Sequence, residues 1–255
     1  MNTKLRAFLD GLYYVYQRRE LIDPDPLYFL RRYDDVKDLE IVGLVASSLA
    51  YGRVAQIMKS VDRVLSCLTD SPYEFLLNND RFDVVPSGFK HRFTTGHDMN
   101  TLLRNATEIL REHGTLEGFL GECLNVSGGE MFPALDEFSG SLSRGRKAGS
   151  FPLVTAPKDG SACKRLFLFL KWLVRKDEVD PGGWEVLTPC DLVVPVDTHM
   201  HSIAMKLGLT SRKNADLKCA VEITDGFREI CPEDPARYDF VLTRFGIRAN
   251  FPHLL

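Results

Sequence analysis

Apolar residues recur at helical spacing along most of this chain. Leu5, Phe8, Leu9, Leu12, Val15 and Tyr16 form one stripe between Leu5 and Arg19, which predicts an amphipathic opening helix. Asp23-Pro24-Asp25-Pro26 breaks it, and Asp25 followed by Pro26 is the pattern of a capped short helix carrying Leu27, Phe29 and Leu30. From Asp38 to Ala50 apolar positions run nearly all round, which predicts a helix inside the core rather than on its surface. A helix from Val54 to Leu68 follows after a tight turn at Gly52. The small and polar residues between them, Ser47 to Arg53, let another backbone or a ligand come close. Ser71 and Pro72 start a further short helix. Asn78 to His97 reads as irregular, with Phe82, Val84, Val85, Phe89 and Phe93 as packing points.

Helices are then expected from Asp98 to Glu112, Thr115 to Leu124 and Met131 to Leu142. Ser139 to Asp159, poor in periodic apolar residues, reads as a basic loop. Ser161 is the expected cap of a strong helix, Ala162 to Arg175, with Lys164, Lys171 and Arg175 together on one side. Asp191 to Val196 is a β-branched run with a proline, which stays extended. It ends on Asp197-Thr198, the start of a helix through Leu207 that Gly208 stops. Asn214 to Ile230 and Pro235 to Phe245, the latter ended by Gly246, complete the set. No alternation of strands with helices and no internal repeat is present. The expected architecture is all-α: one helical domain over 1–255, built of two helical lobes, about 38–143 and 1–37 plus 144–255, with a cleft between them.

Composition adds boundaries to this picture. With 255 residues and 44% hydrophobic positions the chain has ample material for a packed core. No apolar run approaches the roughly 20 residues that span a bilayer, and Met1 to Arg6 lack the apolar stretch of a signal peptide, so a cytoplasmic protein with no membrane partner is expected. Six cysteines stand without a Cys-x-x-Cys pair, which argues against a zinc ribbon, an iron–sulfur cluster or a disulfide framework. The net charge of −3 gives no general attraction to nucleic acid. Its distribution says more: Ser143 to Asp177 carries nine basic residues against two acidic ones. Such polarisation suits a face that meets phosphates, although a solvated helix face is the commoner cause of a charge run.

Asp197 admits three readings. Asp197-x-His199-x-His201 on an extended segment could present two metal ligands, since residues i and i+2 point the same way. That arrangement belongs to the first strand of an eight-stranded barrel of about 250 residues, and 54 residues follow His201, with His91, His97, His113 and His253 scattered elsewhere. No metal and no cofactor is expected. As a helix cap, Asp197 needs no further role, because a capping carboxylate stabilises a helix by ~1 kcal/mol by itself.

The third reading is a resemblance. Val196-Asp197-Thr198-His199-Met200-His201-Ser202-Ile203-Ala204-Met205-Lys206-Leu207-Gly208-Leu209 resembles the active-site segment of the helix-hairpin-helix DNA glycosylase superfamily, and the whole chain looks like a little-characterised bacterial family placed beside those enzymes. The superfamily's Leu-Pro-Gly-Val-Gly hairpin and its four-cysteine cluster are missing. In place of the hairpin stands Gly160-Ser161-Ala162-Cys163-Lys164-Arg165-Leu166, and the distance from Lys164 to Asp197 is similar to that in the archaeal 8-oxoguanine glycosylase branch.

The resemblance implies a DNA-repair glycosylase with abasic-site lyase activity, acting on damaged double-stranded DNA, 8-oxoguanine being the favoured lesion. Asp197 would be the catalytic carboxylate and Lys164 the Schiff-base nucleophile. Ser47, Tyr51, Arg53, Gln56, Trp172 and His199 are the candidates for contacting an extruded base, which needs apolar walls and polar groups for its edge. Arg144, Arg146, Lys147, Ser161, Arg165, Lys171 and Arg175 are the candidates for DNA phosphates. The rival expectation is a non-catalytic DNA- or protein-binding helical protein. Lys164 read on its own is as well explained as a phosphate-binding or solvated side chain.

Overall fold

The computed structural model describes residues 2–81 and 83–248. Phe82, expected as a packing point, and His253 lie outside the described residues. The fold is all-α. Its helices are α1 (Asn2–Tyr16), α2 (Val36–Ser48), α3 (Val54–Leu65), α4 (Pro72–Asn78), α5 (Gly96–His113), α6 (Leu116–Val126), α7 (Met131–Leu142), α8 (Lys164–Val174), α9 (Thr198–Lys206), α10 (Leu217–Ile230) and α11 (Asp239–Arg248), with short 3-10 turns between some of them. None of these is long and apolar enough to cross a membrane.

Two compact units divide the chain. One holds the described residues of Met1–Ile22 and Gly160–Leu255, the other Asp23–Asp159. The boundaries thus fall at 22/23 and 159/160, where the sequence pattern suggests 37/38 and 143/144. The 3-10 turn Pro26–Arg32 packs on α2 and α3, which draws it into the second unit, and the 3-10 turn Pro157–Asp159 packs on α7. Lys158 N donates to Asp136 Oδ1 at 2.7 Å, which ties that turn to α7.

Local chemistry explains most helix starts. Asp25, Asp35, Ser71, Thr115, Asp197 and Asp216 all cap with their side chains. The helix expected from Asp98 starts at Gly96, because Thr95 is the cap and Asp98 is its reciprocal partner in a capping box. The expected cap Ser161 is displaced too: α8 begins at Lys164 behind Cys163, whose φ of 46° is left-handed and whose side chain makes no capping bond. α11 runs through Gly246 to Arg248, so that glycine does not end the helix. α2 is buried on nearly every side, as its all-round apolar pattern predicts; Glu40, fully buried within it, accepts from Leu116 N and Glu117 N at the start of α6.

The stretch read as irregular contains a hairpin. Lys90–His91 pairs antiparallel with Thr94–Thr95 through a two-residue loop, Arg92-Phe93. Arg92 takes the positive φ of 52° that the tight turn demands, at a position where glycine is usual and costs least. With no Gly or Asn to mark it, the turn is invisible in the sequence.

All six cysteines are free. Burial, together with nearby carboxylates, pushes the Cys123 and Cys231 thiols up to about 11. Because the thiolate is the reactive form, brief alkylation of the folded protein should label exposed Cys190 first and half-buried Cys67 more slowly. Peptide mass spectrometry reads this directly, and rapid labelling of Cys123 or Cys231 would contradict their burial.

Candidate active site

The first unit brings together two residues that stand far apart in the sequence. Lys164 opens α8 and Asp197 caps α9, and Lys164 Nζ lies 3.9 Å from Asp197 Oδ2. Both side chains are partly exposed, at 27% and 35%. Asp197 divides its oxygens: Oδ1 accepts from His199 N at 2.9 Å and Met200 N at 3.0 Å, while Oδ2 faces the lysine. The cap therefore orients the carboxylate without occupying the oxygen that Lys164 approaches.

Both helix starts are anchored. The segment leading into Asp197 runs through buried Leu192, Val193, Val194 and Val196, and Val194 N donates to Thr224 Oγ1 of α10 at 3.0 Å. On the other side Ser161 pairs with Asp216 in an isolated antiparallel bridge, and Leu217 N donates to Gly160 O at 3.1 Å. Ser161 Oγ accepts from Cys163 N at 3.3 Å. The lysine's helix start is thus held on the start of α10, and Ser161, expected at DNA phosphates, serves this joint.

A buried ionic ladder continues beneath the pair. Lys171, two helical turns beyond Lys164, is 1% exposed and lies 3.2 Å from Asp180 and 3.1 Å from Asp239. Arg175 is likewise buried and meets Asp177, Asp180 and Asp234. Burial alone would drive the Lys171 ammonium towards neutrality, but Asp180 and Asp239 outweigh it and hold its pKa well above the usual lysine value. Asp239 is raised from the ordinary carboxylate range by burial, with Asp180 and Asp197 adding to the effect and Lys171 opposing it. Asp197 is therefore within electrostatic reach of the ladder.

These contacts correct several expectations. Lys171 and Arg175 face neither solvent nor phosphate: of the basic surplus read between Ser143 and Asp177, these two charges are taken up by Asp180, Asp234 and Asp239. Trp172 is 2% exposed and belongs to the core, not to a pocket wall. His199 is exposed beside Asp197, while His201 Nε2 donates to Arg212 O at 2.8 Å, so the two imidazoles are not jointly aimed at one ion. Arg165 lies half-buried next to Lys164.

The remaining candidates lie in the second unit. Ser47 is buried and donates to Leu44 O within α2, so it contacts no open surface. Tyr51 and Gln56 are used in holding the hairpin: Gln56 Nε2 donates to Ser60 Oγ, Ser60 Oγ meets His91 Nδ1 at 2.9 Å, and His91 Nε2 donates to Tyr51 O at 3.0 Å. Tyr51 Oη in turn donates to His91 O and accepts from Thr94 Oγ1. Arg53 is exposed at the start of α3, and Arg144, Arg146 and Lys147 are exposed in the loop after α7. The close approach foreseen near Gly52 comes from the Arg92 side chain, which a Cβ at Gly52 would meet at 2.7 Å.

The sequence points to Lys164 and Asp197 but does not reveal Asp180, Asp234 and Asp239. Their only signal is the presence of carboxylates in a chain segment that also supplies apolar core, and nothing local pairs them with α8. Among the described residues no group of three or more His, Cys, Asp and Glu side chains is arranged to hold a metal ion.

Fold and site together define an all-helical protein with a solvent-reachable lysine–carboxylate pair over a buried ionic ladder. Residues 25–248 match the family described as "Protein of unknown function (DUF2400)", and the chain belongs to that family. No curated protein and no solved structure matches it. The family match corrects the resemblance drawn from Val196 to Leu209: the chain is a DUF2400 member and matches no helix-hairpin-helix glycosylase family. The physical reason is that an Asp-Thr cap, an apolar stripe and a Leu-Gly stop are what any short capped helix requires, whatever family carries it.

Proposed function

We propose that Lys164 and Asp197 form the reactive centre of an enzyme that removes a damaged base from DNA and opens the resulting abasic sugar. The observation that supports this reading is the convergence at 3.9 Å of a partly exposed amine with a carboxylate oxygen left over by its own helix cap. Breaking an N-glycosidic bond leaves positive charge on the sugar, which a fixed carboxylate stabilises. An amine that has given up its proton can instead attack C1′. Its lone pair forms a C1′–N bond as the bond to the base breaks, and the base leaves with a proton. Ring opening then yields an imine, whose acidified C2′ proton allows the C3′–O bond to cleave. Asp197 is the group beside Lys164 suited to accept its proton.

Borohydride reduction tests the reading. The protein should be trapped covalently on duplex DNA carrying an abasic site, and Lys164→Gln should lose the adduct; equal trapping by the variant would sink the assignment.

The capping bonds and the ion pair that Asp197 already makes support a second reading, a non-catalytic DNA- or protein-binding protein in which Asp197 only caps α9 and pairs with Lys164. It predicts DNA or protein binding with no adduct on any lesion in a panel of modified duplexes.

A further inference from the structure

The hairpin tip in the second unit carries a group of side chains that neither the core nor the lysine site uses. Phe93 is 62% exposed, an unusual state for a phenyl ring. It is not isolated: its centroid lies 5.6 Å from Phe151 with the rings inclined by 36°, and Phe151 lies 4.7 Å from Tyr51 with an inclination of 34°. Three rings thus form a tilted series ending in solvent. The Arg92 guanidinium sits 5.5 Å from the Phe93 ring and 6.0 Å from Tyr51. Phe151 also walls a shallow crevice whose rim includes exposed Arg146 and Lys147. Among the described residues one carboxylate lines that crevice, Asp98, and its Oδ2 is taken up by Thr95 N and Thr95 Oγ1.

The tip is also held in place. His91, fully buried, ties it to Ser60 and to the Tyr51 carbonyl, and the Tyr51 hydroxyl bridges both strands. Arg92 is kept in a left-handed conformation that disfavours side chains, with its stem laid across Gly52. Such local strain persists only where the surroundings over-determine it. An aromatic face that is fixed, exposed and flanked by cations is what a stacked base and its adjoining phosphates need.

We propose that Arg92, Phe93 and Phe151, with Arg146 and Lys147, form a platform that binds single-stranded nucleic acid by stacking an unpaired base on Phe93. The cations fix the occupant: an apolar protein partner would match the ring but leave three exposed positive charges unanswered, whereas a nucleic acid strand supplies both a π-face and phosphates. The platform is independent of the chemistry assigned to Lys164 and Asp197.

Fluorescence anisotropy with a labelled oligothymidylate, and with a strand of equal length made of abasic sugars, tests it. The thymidylate should bind, the abasic strand should bind more weakly, and Phe93→Ala should weaken thymidylate binding roughly tenfold without changing the salt slope. Phe93→Trp should keep or raise the affinity, which separates stacking from folding. Arg146→Gln with Lys147→Gln should make the salt slope shallower by about 0.7 for each phosphate that is no longer neutralised. Absence of oligothymidylate binding, equal binding of the abasic strand, or wild-type affinity in Phe93→Ala would overturn the proposal. Lys164→Gln should leave this binding unchanged, so failure here and failure of the lysine chemistry are told apart.

Discussion

Replacing Lys171 with methionine is expected to lower the unfolding free energy by about 3–5 kcal/mol. The ammonium is 1% exposed and lies between Asp180 and Asp239, themselves 0% and 8% exposed at the side chain. Methionine fills much the same volume, so the destabilisation comes from charge: two buried carboxylates would face each other without the cation that answers them. Arg175 would still pair with Asp180, leaving Asp239 as the orphan, and Asp239→Asn in the Lys171→Met background should recover part of the stability. Both tryptophans of the chain, Trp172 and Trp184, are buried in this unit, so their fluorescence in a urea titration reports its unfolding. A change under about 1 kcal/mol, the worth of a surface pair, would mean that water reaches the ladder.

The same ladder sets a pH expectation. A lysine whose pKa is raised on folding contributes stability that is complete below its unfolded value and is lost as pH rises through the folded one. Lys171 should therefore hold its contribution throughout the neutral range and past the ordinary lysine value of about 10.4. At the acid end the effects divide. Burial raises Asp177, but Arg175 and the backbone N–H groups of Asp180 and Val179 overcome it and hold its carboxyl low, so its contribution fades as pH falls below the usual aspartate range. Asp234 and Asp239 are raised by burial and partly offset that decline.

The second large effect concerns Asp197→Asn. Asparagine caps helices about as well as aspartate, and its side-chain oxygen can still accept from His199 N and Met200 N. Folding and DNA affinity should therefore change little. What disappears is the charge on the oxygen that faces Lys164. If the site breaks glycosidic bonds, base release should fall by roughly 10²–10³, the scale on which a fixed electrostatic partner of a charged transition state acts. Single-turnover assays on duplexes bearing one lesion each would measure it. A variant that releases base at the wild-type rate would confine Asp197 to capping and ion pairing.

Helix positions, their apolar faces and the cap at Asp197 are legible in the sequence because they depend on neighbours three or four residues away. So is the candidacy of Lys164 and Asp197, though the glycosylase resemblance that suggests it gives way to the DUF2400 match. Phosphate roles for Lys171 and Arg175 fail because a charge run carries no record of which side a helix turns inward. The hairpin at Arg92-Phe93 is hidden because its strained turn is held by Tyr51, Ser60 and His91 rather than by a glycine.

Asp197 as a cap is thus a local fact, determined by the sequence alone through side-chain competition for the first free N–H groups of a helix. Its meeting with Lys164, the neutralisation of Lys171 and Arg175 by Asp180, Asp234 and Asp239, and the ring series from Tyr51 through Phe151 to Phe93 are tertiary facts. They arise from packing that burial of apolar faces drives, and that driving force is non-directional: it states which faces are covered, while only the assembled chain decides which charges and rings those faces bring together.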